Sequence, residues 1–320
     1  MDKPAAATVR IGSHDVPVLS WPPGIDETDD DRLAAARESL ATAGVLVVSA
    51  NEALLGSLSS SYAAVVRHSD GAPSQDDGDD GALLGGWLDG NAASRATTYR
   101  FSVEGPPAHK RHRWPTDTAF RAELHDGAAV GLGRLAARVA ALLDGLFGTT
   151  APDDLLAGAV SPGNDLSYCC FRRYRHPGAG GEVTTTKLMN CHQDAELFAL
   201  VHATQDGLEI MSPAGEYLSV AASVFQAGAV VVLPGESLRI VSAGKVRAVP
   251  HRVVDAGGGG ARADRLSCVY FCALDSDRAV RPLPELVARG GRAATEKAIE
   301  MHERTLRRFS GALLRGRAEY

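Results

Sequence analysis

Cysteine is scarce in this chain. There are five (Cys169, Cys170, Cys191, Cys268 and Cys272), an odd number with two adjacent members and no CxxC unit. That argues against a disulfide framework and a zinc knuckle, and leaves buried free thiols as the expectation, with Cys268 and Cys272 placed to share a strand face. Long apolar runs are absent too, since none approaches the roughly 20 residues of a membrane span. The opening MDKPAAATVRIG lacks the charged, apolar and cleavage regions of a secretory leader, so a cytoplasmic location is expected. No excess of positive charge is present. A formal net charge of −6 disfavours nucleic acid as the main partner, and the local cluster HKRHRW (109–114) reads as solvated loop. What remains, 320 residues with 45% hydrophobic and 22% charged, can bury a large core.

The first half is rich in helical patterns. VPVLSWP near residue 16 reads as a short strand ending at proline, and DDDRLAAARESLATAG (29–44) has acidic residues first, apolar spacing next and glycine last, as a helix should. VLVVSA then reads as a strand, and a second helix is expected over about 51–67. SDGAPSQDDGDDGALLGG (69–86) reads as a mobile loop, and its aspartates fail as a calcium loop because the twelfth position counted from Asp76 is Trp87. From 114 onward Phe120, Leu124, Val130, Leu135, Val139 and Leu142 keep close to a 3.6-residue repeat, predicting a long helix with a glycine-weakened middle. The GLG at 131–133 interrupts that helix instead of succeeding a strand, so it is no dinucleotide turn.

After residue 165 the texture changes. LSYCCFRRY, LFALVHA, GLEIMS, YLSVA, AVVVLP, LRIVSA, HRVVD and LSCVYFCAL succeed one another as short β-prone runs, a spacing that suits a sandwich or barrel. PELVARGGRAATEKAIEMHERTLRRFSGALL closes the chain as one short and one long helix. No internal repeat is found.

Within the β-rich part, NCHQDAELFALV (190–201) places His192 and Asp194 two apart, on one face if the segment is a strand. His251, in KVRAVPHRVVD, lies 57 residues after Asp194, far enough for several strands to bring it back beside the pair. Two imidazoles and one carboxylate on one face of an ion suit non-haem Fe(II), with open positions for a chelating co-substrate and dioxygen. Fourteen residues further on, Arg265 and Ser267 share a strand face, a guanidinium fork beside a hydroxyl that matches a carboxylate.

These residues resemble the isopenicillin N synthase-like family of Fe(II) and 2-oxoglutarate-dependent oxygenases. NCHQDAELFALVHATQDGLEI is similar to the family's His-x-Asp strand and its continuation; GEYLSVAASVFQAGAVVVLPGESLRIVSAGKVRAVPHRVV and RLSCVYF extend the match, which is strong over about 190–275 and weaker elsewhere. The resemblance implies an α+β fold, a double-stranded β-helix (distorted jelly roll) with flanking N- and C-terminal helices. It implies one oxygenase domain over 1–320, with a helix-rich part at 1–160, the jelly-roll core at 161–277 and terminal helices at 278–320. It further implies His192, Asp194 and His251 as Fe(2+) ligands, and Arg265 with Ser267 as holders of the distal carboxylate of 2-oxoglutarate. The tyrosine of FRRYRHP aligns as Tyr174 or as His176; Tyr174 is favoured. LPGES puts Glu236 where the family often has aspartate, and GGGGARAD lengthens the loop before Arg265.

The implied reaction uses O2 and 2-oxoglutarate to oxidise a C–H bond of a small molecule by hydroxylation, desaturation or ring formation. Arginine-heavy, lysine-poor usage suggests a GC-rich bacterial genome, in which this family often acts on specialised metabolites, antibiotics among them. Arg95, Tyr99 and Arg100 are candidates to meet an anionic substrate. Rival readings are an Fe(II) oxidase of the same fold that needs no 2-oxoglutarate, a zinc hydrolase, and a non-catalytic β-barrel binding protein. His202 and His176 read as structural; His109, His112 and His302 as solvated.

Overall fold

A computed structural model describes residues 7–20, 29–71, 96–102, 118–150, 156–160, 166–175, 187–255, 263–274, 280–284 and 286–287. Its first half contributes β1 (Thr8–Ile11), β2 (His14–Leu19), α1 (Asp30–Thr42), β3 (Leu46–Ser49), α2 (Glu52–Gly71) and β4 (Ala96–Ser102). Asp29 caps α1 by accepting from the Arg32 amide, and the chain leaves that helix through Gly44 at φ +81°, where a side chain would be strained. The second helix runs to Gly71, beyond the expected 67, so residues 69–71 are helix and not loop.

The long central helix is three pieces: α3 (Thr118–Ala122), a π-helical segment (Glu123–Ala129) and α4 (Val130–Phe147). The weak middle expected from glycine is therefore a widened turn. The Ser61 hydroxyl donates to the Glu123 carbonyl at 2.7 Å, satisfying a backbone acceptor at the start of the irregular turn, and Gly127 faces Ser57 of α2 closely. A short α5 (Leu156–Ala159) comes next, its first amides bound by the Asp144 carboxylate.

The remaining elements are β5 (Tyr168–Tyr174), β6 (Lys187–His192), β7 (Phe198–Ala203), β8 (Leu208–Met211), β9 (Tyr217–Val220), α6 (Ala222–Gln226), β10 (Ala229–Pro234), α7 (Glu236–Val241), β11 (His251–Val254) and β12 (Arg265–Cys272). LRIVSA, expected as a strand, is helix α7 instead. Its β-prone composition is overridden because Leu238, Ile240 and Val241 are buried, and Glu236 and Arg239 form an i,i+3 ion pair. The terminal helices expected over 278–320 lie almost wholly outside the described residues, as do His109, His112, His176, His302 and Arg95.

Among the described residues twelve strands join one sheet in the order β4-β5-β12-β7-β10-β3-β2-β1-β9-β8-β11-β6, and their pairings are antiparallel except for the parallel β2–β3 pair. The two ends of that order face each other. Tyr174 of β5 packs with Leu188 of β6 and Val253 of β11, and the inner core mixes Cys170, Ala199 and Val231 from one half with Ile210, Leu218 and Val220 from the other. This is the distorted jelly roll. On the outer face Cys169, Phe171, Leu200, Val232, Cys268 and Cys272 pack in one core with Leu58 of α2 and Leu135 and Val139 of α4. Strands such as β10, buried on both faces, need apolar residues at every position, which is why AVVVLP shows no alternation.

Candidate metal centre

β6 and β11 are antiparallel neighbours, and their register sets His251 directly opposite His192. The two rings lie 4.3 Å apart, centroid to centroid. Asp194 is not on the strand, as its spacing suggested; β6 ends at His192 and the carboxylate stands in the loop beyond it. That loop is pinned from both sides. The Asp194 carbonyl accepts from the Glu236 amide at 2.8 Å, and Gln193 donates to the Ala248 carbonyl at 3.0 Å, just ahead of β11.

The result is a convergent donor set. His192 Nε2 is 3.5 Å from Asp194 Oδ1, His251 Nε2 is 3.7 Å from Asp194 Oδ2, and one ligand atom from each residue lies within 4.8 Å of the others. Both imidazoles are oriented by the same local device. His192 Nδ1 meets the Asn190 carbonyl at 2.9 Å and His251 Nδ1 meets the Val249 carbonyl at 3.1 Å, each two residues back. A carbonyl can only accept, so each Nδ1 carries the proton and each Nε2 presents a lone pair to the shared centre.

Electrostatics favour the same state for His251 and oppose it for His192 until a cation is bound. Burial lowers the His251 pKa despite the Asp194 charge, which keeps that ring neutral, as a metal ligand must be. Burial pushes the Asp194 carboxyl up, but the neighbouring His251, the hydrogen bond and charge of His192, and the Arg172 charge outweigh it, so the pKa is lowered and the carboxylate form is favoured. For His192 burial is again opposed by Asp194, whose hydrogen bond and charge win, raising the pKa; a divalent cation would take the place of that proton. The side chains of Asp194 and His251 are under a tenth exposed while His192 is 38% exposed, so the centre is walled on one side and reachable on the other.

Arg265 and Ser267 both stand buried on β12, and the register places Tyr174 opposite Arg265 and Arg172 opposite Ser267. The Arg265 guanidinium lies 5.4 Å from the Tyr174 ring centroid and its Nε donates to the Asp206 carbonyl at 3.1 Å. Its Nη1 is buried and finds no hydrogen-bond partner among the described residues. Burial pulls the Arg265 pKa down, since the charged form is poorly solvated there. A buried guanidinium with an open donor fits a carboxylate ligand, which would supply both the missing bonds and the counter-charge. The donor set of the triad and this open donor therefore suit a divalent metal and a dicarboxylate held together.

Sequence spacing alone found five of these side chains and, with the resemblance, Tyr174. It missed Arg172, whose Nη1 lies 3.3 Å from Met189 Sδ on β6. The signal was available: if Tyr174 faces inward, strand alternation puts Arg172 there too. Tyr99, a candidate for substrate contact, is instead buried against Phe120 and His68, while nothing is described of the Arg100 side chain. His202 is structural, as expected: Tyr62 Oη donates to its carbonyl at 3.0 Å and meets its Nδ1 at 3.0 Å.

Comparison with known proteins agrees with this geometry. The sequence profile described as 2OG-Fe(II) oxygenase superfamily matches residues 167–274, the span from β5 to the end of β12. Among solved structures, a full-length Neurospora crassa protein in complex with alpha-KG and 5-formyluracil has 16% identity and a TM-score of 0.67, over 92% of this chain and 94% of that one. The rice dioxygenase for auxin oxidation has 20% identity and a TM-score of 0.61, over 85% and 87%. Dioxygenase for auxin oxidation 1 of Arabidopsis thaliana, bound to 2-oxoglutarate, has 16% identity and a TM-score of 0.64, over 87% and 100%. At these identities the likeness establishes the fold.

Proposed function

The chain belongs, through residues 167–274, to the 2OG-Fe(II) oxygenase superfamily of Fe(II)- and 2-oxoglutarate-dependent dioxygenases, and on that premise we propose the roles of its side chains. His192, Asp194 and His251 hold the ferrous ion, and Arg265, Ser267 and Tyr174 hold the distal carboxylate of 2-oxoglutarate. The observation that carries this reading is the pairing of a two-imidazole, one-carboxylate cluster with a buried arginine whose Nη1 has no partner among the described residues. When bound, the ion and its co-substrate supply the oxidising chemistry that activates dioxygen and attacks a C–H bond.

The protein's part is positional. The carbonyls of Asn190 and Val249 fix the Nδ1–H tautomers, so in each neutral ring Nε2 is the atom turned to the metal. The loop contacts from Glu236 and Gln193 hold Asp194 in reach of both rings. The apolar walls around Tyr174, Leu188 and Val253 limit water at the co-substrate end. A small-molecule substrate is in keeping with relatives that act on compounds such as auxin. Its oxidation by hydroxylation, desaturation or ring formation, in specialised metabolism, is the finer reading. A single domain over 1–320 is part of the proposal, supported by β1–β4 of the first half joining the core strands in one sheet.

The test is twofold. His251→Ala and Asp194→Ala should abolish stoichiometric Fe(II) binding, measured anaerobically, together with 2-oxoglutarate-dependent oxygen uptake. Arg265→Gln should retain the metal while its affinity for 2-oxoglutarate falls about a hundredfold, the scale for losing a charge-assisted bidentate contact. Full metal binding in His251→Ala would refute the ligand assignment. Succinate formed in step with oxygen consumed separates the dioxygenase from an oxidase that needs no 2-oxoglutarate.

A further inference from the structure

The residues joining β7 to β8, Thr204 to Gly207, wrap round the start of β12. Thr204 binds Leu266 twice: its amide donates to the Leu266 carbonyl at 2.9 Å, and its hydroxyl accepts from the Leu266 amide at 3.0 Å. The β7–β12 ladder is thus carried one residue past its last strand pair, Ala203 with Ser267. Asp206 comes next, and its carbonyl accepts from Arg265 Nε at 3.1 Å. Gly207 closes the turn at φ +119°, and its carbonyl accepts from the Val254 amide at 2.9 Å, at the end of the strand that carries His251. A Cβ on Gly207 would stand 2.5 Å from the Val254 carbonyl oxygen and 3.6 Å from Arg265 Nε, so the turn closes this tightly only with glycine.

The Arg265 side chain therefore runs along the main chain of this turn. A guanidinium is planar, so holding Nε fixes its plane and with it the direction of Nη1, the donor with no partner among the described residues. The acceptor on Nε is a neutral carbonyl, which orients the fork without cancelling its charge. The carboxylate of the same residue is engaged elsewhere: Asp206 Oδ1 accepts from the Ala222 amide at 2.6 Å, at the first residue of α6. That helix has alanine at its cap position and makes no side-chain cap of its own, so Asp206 supplies one from outside. A carboxylate turned instead to Arg265 would pair with it and compete with an incoming one.

We propose that Asp206 is a positioning residue for the co-substrate. Its carboxylate, moored on the Ala222 amide, keeps its carbonyl against Arg265 Nε and so aims Nη1 at the distal carboxylate of 2-oxoglutarate. The inference rests on the reading of the site given above, and its test separates the two.

The experiment uses full-length protein loaded with zinc, which is redox-inert. Calorimetry gives dissociation constants for 2-oxoglutarate and for 2-oxopentanoate, which has the same 2-oxo acid end and chain length but lacks the distal carboxylate. Their ratio reports the grip on that carboxylate alone; a general loosening of the fold weakens both ligands and leaves it unmoved. Wild-type protein should favour 2-oxoglutarate at least about tenfold. Asp206→Ala should lower the ratio about fivefold, with 2-oxopentanoate affinity within about twofold of wild type, and Asp206→Asn, which keeps an oxygen acceptor, should hold the ratio within about twofold. Ala222→Pro removes the donor instead of the acceptor. Proline is accommodated at a first helical position behind an extended residue, as Ala221 is, and the same loss of about fivefold is expected. In an Arg265→Gln background Asp206→Ala should change the ratio no further, because its effect runs through that guanidinium. An unchanged ratio in either Asp206→Ala or Ala222→Pro, a full loss in Asp206→Asn, or a loss that persists without Arg265 overturns the proposal. If wild-type protein shows no preference for 2-oxoglutarate over 2-oxopentanoate, the reading of Arg265 as the carboxylate anchor fails, and the role of Asp206 with it.

Discussion

Single residues here differ sharply in how legible they were. His192, Asp194 and His251 stood out because their donor types are rare in apolar surroundings and their spacing suits antiparallel return strands. Arg172 did not, because in FRRYR it is one arginine among three, and only the inward or outward sense of β5 distinguishes it. His202 shows the opposite case, a buried histidine whose role is packing. Its pKa is lowered to about 4 by burial, so the folded protein binds its proton less readily than the unfolded chain does. The sign comes from linkage. Between about pH 6.5 and about 4 the unfolded state holds more protons, so stability is complete above that window and declines as pH falls through it. The loss should reach roughly 3 kcal/mol at the acid end. Urea denaturation of wild type and His202→Gln across this range should show a shallower pH slope in the variant.

Elements were read well where pattern and burial agreed, and misread where they did not. α1, β3 and the strands β5, β7, β8, β10 and β12 match the expected runs closely. LRIVSA was misjudged because β-branched residues bury equally well in a short helix, and nothing local says which partner face they meet. The junction that starts that helix also matters for the site. Gly235 has ordinary backbone angles, yet a Cβ there would stand 2.1 Å from the Glu196 carbonyl and 3.0 Å from that of Asp194. Gly235→Ala should therefore displace the loop bearing the carboxylate ligand. Expected are a loss of about 1–3 kcal/mol in denaturation and weaker Fe(II) binding in the same variant, whereas Gly56→Ala, open to space inside α2, should leave Fe(II) binding unchanged and raise stability by up to about 1 kcal/mol.

For the whole molecule, the α+β class and jelly-roll core were legible because turn residues punctuate the second half at short intervals. The joining of β1–β4 to that core was not, since long-range pairing leaves no local trace. A site assembled from strands at both ends of the sheet order couples ligand binding to global folding. With metal present, 2-oxoglutarate at about a hundred times its Kd should add about 2.7 kcal/mol to stability. Differential scanning calorimetry should show Tm rising by a few degrees, with the rise lost on chelation or in Arg265→Gln.

The outward grip of Arg173 on Asp70 and Asp264, with Ser69 as a third partner at 2.6 Å, lies between the two inward residues Arg172 and Tyr174. The last turn of α2 thereby acts as a splint for the strand on its other side. The inward pair on β5 thereby takes part of its anchorage from the far side of the sheet, so losing the Asp70 carboxylate would be felt at Tyr174 through the strand.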